Sequence, residues 1–322
     1  MKITKLSNNF TPLRKGIFFN IDTEESAPKN IIVEIIDLIS SEVIATQQLR
    51  EVTSAEVNIA PYLARLEDNR PMQSFCTAFS EAPYARYKIR VDNTESEAVT
   101  VSINNIEIGD MPTIISTMPN SRRISYGEGD EVLIISGKKS TICAKITSDT
   151  GECINLEHHT TIGANVLTVS TENFDTEIRS LEVVLSCDNK VFGTLHYRVS
   201  PPIKTATRLA WLSDKGSIER YSFPITHKVK NEVEKRTIIT TEGVQSVHCR
   251  TKQKLSLASR FEPSDTISAL AQIASSTKVW IERGRELERA EVTTLSVEQN
   301  LFNKPDCLCI DICTLNEEER IW

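Results

Sequence analysis

Residues 130–158 read DEVLIISGKKSTICAKITSDTGECINLEH, and this stretch identifies the kind of chain it belongs to. It holds three short runs, DEVLIIS, STICAKIT and ECINLEH, the first two rich in the Val, Ile and Thr that suit a pleated surface. Asp149-Thr150-Gly151 between the second and third is a hairpin turn signal. Runs recurring about every ten residues have the spacing of a β-sandwich. The pattern continues through NVLTVS, RSLEVVLS and KVFGTLHYRVS, with Asp188-Asn189-Lys190 as another hairpin turn. It stops at Pro201-Pro202, which cannot donate to a ladder.

Upstream, KGIFFNIDTEES reads as a strand and KNIIVEIIDLISSEVIATQQL as a strand pair. NIAPYLARLED breaks the alternation. Pro61 suits a first helical turn, and Ile59, Tyr62, Leu63 and Leu66 share a face, so a short helix is expected. ARYKIRVDNTESEAVTVSINNIEIGD returns to strands around a turn at Asn93–Glu97, and MPTIISTMPN (111–120) reads as a linker through two prolines.

Downstream, TATRLAWLSDKGSIERYSFP (205–224) sets Trp211 before a polar turn and Tyr221 and Phe223 after it. That is an aromatic-flanked hairpin, expected to seed a core. TIITTEGVQSVHCRTKQKLSLASRF gives further strands around Glu242-Gly243. EPSDTISALAQIASS gives the clearest helix, about 264–276, with Ser264 or Asp265 as cap and Ile267, Leu270, Ala271 and Ala274 as its stripe. KVWIERGRELERAEV and CLCIDIC add strands. The fold expected is mainly β: a sandwich-like domain at 1–110, a second at 111–202, and an α+β domain at 203–322.

Composition narrows the function. The chain has 322 residues, 39% of them hydrophobic and 25% charged, which suits a globular multidomain protein. Only 11 glycines argue against a glycine-rich nucleotide-binding enzyme. The start, MKITKLSNNFTPLRKG, lacks the apolar run of a signal peptide, and no stretch is long enough for a membrane helix. Synthesis in the cytoplasm without membrane insertion is therefore expected. The net charge of −7 is unevenly spread: residues 204–260 carry 12 Lys/Arg against 5 Asp/Glu, while 261–322 carry 6 against 12. Such asymmetry suits a DNA contact and head-to-tail packing of like subunits equally, though a mixed solvated surface is the simpler account.

No catalytic, cofactor or metal motif emerges. CLCIDIC puts Cys307, Cys309, Asp311 and Cys313 on one face of a strand and Leu308, Ile310 and Ile312 on the other. A straight strand spreads i and i+4 by about 13 Å, too far for one ion, so packing is the expected role of the thiols. Cys143 and Cys153 stand where they could face each other across a hairpin. His158 and His159, as strand neighbours, point apart. YGEGDE (126–131) fits no phosphate loop and reads as an acidic turn. Arg250, Lys252 and Lys254 alternate on one strand face without interleaved aromatics, which suits a protein partner or solvent better than nucleic acid.

The hairpin at 205–224 and the strand after the helix carry a family resemblance. Arg208, Trp211, Leu212, Gly216, Tyr221 and Phe223, followed by Ser275, Ser276, Val279, Trp280 and Ile281, resemble a pattern in tail or baseplate-type structural proteins of Bacteroidetes phages and prophages. It spans mainly residues 205–315. Ser213 stands where asparagine is common, and a second glycine after the turn is missing. The resemblance implies a non-enzymatic virion or tail-particle subunit without cofactor, whose partners are further copies of itself and neighbouring structural proteins. Trp211, Tyr221, Phe223, Trp280, Arg250, Lys252 and Lys254 are its candidate structural and interaction residues. The alternative is a β-sandwich cell-surface adhesin or glycan-binding protein.

Overall fold

A computed structural model describes residues 1–38, 40–63, 71, 76–81, 86–102, 109, 111–160, 163–175, 177–241, 243–284, 286–294, 305–314 and 318–321. The chain is mainly β, with several sheets and one clear helix.

The first module packs two sheets. One orders Lys2–Lys5, Phe18–Asp22 and Ser54–Asn58; the other orders Thr11–Pro12, Val99–Ser102, Arg86–Val91, Lys29–Asp37 and Val43–Val52. Alternation chooses the faces: Ile31, Val33 and Ile35 are buried against Phe19, Ile21 and Val57, while Ile32 between them is exposed. The expected helix is a single turn, Ala60–Leu63, and Leu66 lies outside the described residues.

The second module is also a sandwich. Its larger sheet orders Ser121–Ser125, Lys190–Ser200, Ser180–Cys187, Ser140–Ser148 and Cys153–Thr160. The facing sheet orders Thr113–Ile115, Gly129–Ser136, Gly163–Ser170 and Ala78–Glu81. Two of its members lie outside the stretch that the sequence spacing marks as strands. Thr113–Ile115 belongs to the segment that reads as a linker, and Ala78–Glu81 comes from the N-terminal third of the chain. They extend the sheet because Gly129–Ser136 and Gly163–Ser170 are apolar on both faces. Val132, Ile134, Leu167 and Val169 fill the sandwich, while Leu133, Ile135, Ala164 and Val166 pack outside it with Ile115 and Phe10. The Asp188-Asn189 turn takes φ of 49° and 61°, the left-handed pair of a two-residue hairpin.

The third module is one eight-stranded sheet, ordered Ile218–Phe223, Thr207–Leu212, Val279–Arg283, Glu286–Val292, Cys309–Thr314, Gly243–Ala258 and Ile225–Thr240, with Glu318–Ile321 also paired to Gly243–Ala258. Only Pro224 separates Phe223 from Ile225, so the two end strands meet at that corner and the sheet curls. The helix Ser264–Ala271 runs on as a 3-10 turn, Gln272–Ser275, and buries Ile267, Leu270 and Ile273 against Leu209, Leu257 and Ile310. Its N-cap is Pro263, with no side-chain cap bond. Asp265 instead accepts from the Thr266 amide at 2.7 Å.

Candidate assembly interface

The curled sheet has two edges, and the protein treats them differently. The edge strand Ile218–Phe223 is gripped by the second module from both sides. Successive residues of a strand face opposite ways, so Arg208, Arg220, Ser222 and Glu282 share the outer face while Trp211, Tyr221 and Phe223 share the inner one.

On the outer face, Arg208 donates from Nη1 to Glu128 at 2.7 Å, from Nη2 to the Gly129 carbonyl, and from Nε to Glu282 at 2.7 Å. Arg220 donates from Nε to Glu282 at 2.6 Å and from Nη2 to Glu131 at 2.5 Å. The Ser222 hydroxyl donates to the other Glu128 oxygen at 2.6 Å. At the inner end, Glu219 accepts from the Ser116 hydroxyl at 2.8 Å, the Thr117 amide at 2.9 Å and the Ser217 hydroxyl at 2.6 Å. Arg122 joins Asp130 at 2.8 Å to Ser116 at 2.6 Å, and the Tyr197 hydroxyl donates to Asp130 at 3.0 Å.

Arg122, Arg220, Asp130, Glu131 and Glu219 are all buried. Burial opposes the charge of Arg220, but Glu131 and Glu282 outweigh it and raise its pKa. Arg122 follows the same logic, with Asp130 and Glu219 as the opposing charges. Burial pushes the Glu282 carboxyl up, yet Arg208 and Arg220 overcome that and hold it below its ordinary 4.5. Such pairs add little net stability over apolar packing, but they fix geometry and are costly to break singly. The second and third modules are therefore joined stiffly.

YGEGDE supplies half of this joint: Glu128, Asp130 and Glu131 are its acceptors, not a free acidic turn. A local reading misses Glu128 and Glu131 because their arginines come from a hairpin some eighty to ninety residues away, whereas Asp130 meets Arg122, eight residues before it. The available signal is Arg208 and Arg220 among the buried residues of the strands TRLAWL and IERYSF.

Trp211, Tyr221 and Phe223 lie buried in the helix-facing core, with the Tyr221 and Phe223 rings edge to face at 5.0 Å. The Tyr221 hydroxyl donates to Glu262 at 2.9 Å. The turn between the strands closes through Gly216, whose amide donates to the Ser213 carbonyl at 3.0 Å and whose φ is +86°. Trp280 sits on the opposite face with Ala210, Leu212 and Ile218, under the Arg289 guanidinium at 5.3 Å.

The other edge strand belongs to a long hairpin. Ile225–Thr240 and Gly243–Ala258 pair over sixteen residues each, about 50 Å if fully extended. Glu242 of the expected turn lies outside the described residues. Among the described strands, Ile225–Thr240 has a neighbour on one side only. Val229 and Val233 are 55% and 53% exposed on that strand, and Ile239 is 87% exposed. Lys252 stands opposite Glu232, and Lys254 reaches Glu232 at 3.1 Å, so part of the basic stripe is answered by its own hairpin. Arg250 stands opposite Glu234 in the ladder, and its side chain lies outside the described residues.

Leu308, Ile310 and Ile312 enter the core while Cys309 and Asp311 face out, as alternation requires. Cys307 Sγ donates to the Ser259 carbonyl at 3.1 Å. Burial and the neighbouring Cys307 raise the pKa of Cys309. Among the described residues, no group of three or more His, Cys, Asp or Glu is placed to hold a metal ion, and no helix is long and apolar enough to cross a membrane. Cys143 pairs with Glu157 and Cys153 with Thr147, so the two thiols do not face each other: each stands four residues from the position that would align them. His158 stacks on Phe79 at 5.1 Å, whereas His159 bonds Thr141 at 3.0 Å.

No protein-family model matches the chain, and no curated protein matches it. Among solved structures it is similar to a tetra-tandem repeat in the extending region of a large adhesion protein, at 8% identity and a TM-score of 0.23 over 80% of this chain and 70% of that one. It is also similar to Salmonella alpha-2-macroglobulin (mutant Y1175G), again at 8% and 0.23, over 95% of this chain and 26% of that one. The native Escherichia coli alpha-2-macroglobulin gives 8% and 0.22. The chain thus spans about a quarter of the alpha-2-macroglobulins it matches. Similarity at this level assigns neither a family nor an activity.

Proposed function

We propose that the chain is a non-enzymatic structural subunit of a phage tail or tail-like particle, working through protein–protein assembly. The observation that carries this reading is the asymmetry of the third sheet. One edge is sealed by a buried joint to the second module, while the other, among the described strands, is an arm paired on one side only and carrying half-exposed valines. An edge strand presents unpaired N–H and C=O groups that template another strand. Stiff modules behind such an arm suit a subunit that must hold a partner at a set angle. The tail-particle setting rests on the resemblance carried by residues 205–315.

The test shortens the arm. Replacing residues 232–252 by Asn-Gly joins Asn231 to Gln253, which already face each other in the ladder, through a two-residue hairpin turn. Leu255, Leu257 and the helix remain to close the core. Light scattering of the full chain over rising concentration, alone and with neighbouring tail proteins, should register assembly that the shortened chain loses. Equal assembly by both chains would defeat the reading.

A further inference from the structure

We propose that the partner of the free arm is a second copy of this chain, paired antiparallel through Ile225–Thr240 about a two-fold axis at Asn231. This inference rests on the assembly reading above and adds the partner and its register. In an antiparallel pair, residues opposite each other share a face. A two-fold axis must then pass through one residue and its own copy, so only a few registers exist.

The sequence of the strand discriminates among them. From Lys228 to Glu234 it reads Lys-Val-Lys-Asn-Glu-Val-Glu. The ladder to Gly243–Ala258 is regular here, with register shifts only between Thr226 and Lys228 and between Arg236 and Thr237. Centred on Asn231, Val229 meets Val233 of the second copy, Lys230 meets Glu232, and Lys228 meets Glu234. Within residues 228–234 every charge finds its opposite, and the half-exposed valines cover one another. An axis at Lys230 or Glu232 sets that residue against itself. An axis at Val229 opposes Lys228 to Lys230, and one at Val233 opposes Glu232 to Glu234.

Lysines on an open edge repel promiscuous strand partners. Among axes from Val229 to Val233 they leave one self-complementary register, which is how attraction and repulsion together give specificity. Lys230, Glu232 and Lys254 are solvent-accessible, with Lys230 at 2.8 Å from Glu232 on its own strand, so these charges are available to a second copy. Val229 stands opposite Leu255 in the ladder, and Leu255 belongs to the core. The apolar side of the arm is therefore continuous with the core side of the sheet, and docking a copy extends that surface.

The experiment is a charge swap in the full-length chain, read by light scattering and sedimentation over a wide concentration range. Wild type is expected to pass from monomer to dimer. Lys230→Glu and Glu232→Lys should each weaken dimerisation about tenfold or more, because each places two like-charge pairs across the two-fold axis. The double variant Lys230→Glu/Glu232→Lys should restore it. Circular dichroism checks that each variant is folded, and Lys230→Glu also gains an opposite charge facing Lys254. A dimer indifferent to the single reversals, a folded double variant that stays monomeric, or a wild type monomeric at every concentration would overturn the second-copy register. The assembly reading fails separately, if shortening the arm changes nothing in the presence of tail proteins.

Discussion

Replacing Arg220 with alanine should lower the unfolding free energy by about 3–5 kcal/mol, as measured by urea titration. Arg220 lies between Glu131 and Glu282 at the buried joint. Its removal takes the guanidinium bond from the buried Glu131 and leaves Glu282 with Arg208, so the cost is that of buried charge that has lost part of its compensation. Arg220→Lys should recover only part of the loss, since an ammonium cannot bond two carboxylates through a planar fork. Acid should loosen the same joint. The depressed Glu282 carboxyl contributes its full stability above its ordinary value of 4.5, and that contribution drains away as pH falls through the lowered folded-state value. A wild-type chain titrated downward from pH 5 should approach the behaviour of the Arg220→Ala variant.

Trp211→Ala should cost about 3–5 kcal/mol, the range for emptying a large aromatic from a closed core. Trp211 is wholly buried among the helix-facing residues. Trp211→Phe should cost distinctly less. It keeps most of the apolar volume and removes an indole N–H that has no hydrogen-bond partner among the described residues. Thermal unfolding of the two variants side by side gives the comparison. A Trp211→Ala chain within 1 kcal/mol of wild type, on the order of a surface change, would mean that the aromatic hairpin does not seed the core.

How much of this is legible in the sequence follows from the range of the interactions. Strands set by alternation and turn residues can be read locally, and the segments DEVLIIS through KVFGTLHYRVS correspond to strands that pair as hairpins or pack face to face. The aromatic hairpin at 205–224 is also local, because Arg208, Trp211 and Tyr221 lie within one turn and its two arms. Thr113–Ile115 escapes notice because it is only three residues long between prolines. Its strand character comes from a neighbour, Gly129–Ser136, that is hungry for apolar cover on its second face. The joint escapes for the same reason. Glu128, Asp130 and Glu131 look like a solvated turn until Arg122, Arg208 and Arg220 are brought to them. Ser264 and Asp265 are reasonable caps by type, yet Pro263 takes the cap position and leaves them inside the helix.

The open arm is half legible. TIITTEGVQSVHCRTKQK shows strands around a turn, but its length as one continuous hairpin, and its place at the sheet edge, depend on which strands pair beyond it. Only the ladder reveals that Val229 and Val233 stay half exposed on a strand that has one neighbour among the described strands, while the opposite edge is sealed.

Amide hydrogen exchange, compared between dilute and assembled protein, bears on that asymmetry at the level of single strands. Assembly through the arm should slow exchange across Lys228–Arg236 and leave Ile218–Phe223, already closed by the second module, unchanged. Assembly with undiminished exchange along Lys228–Arg236, and new protection elsewhere, would show that the chain joins its partners by a different surface.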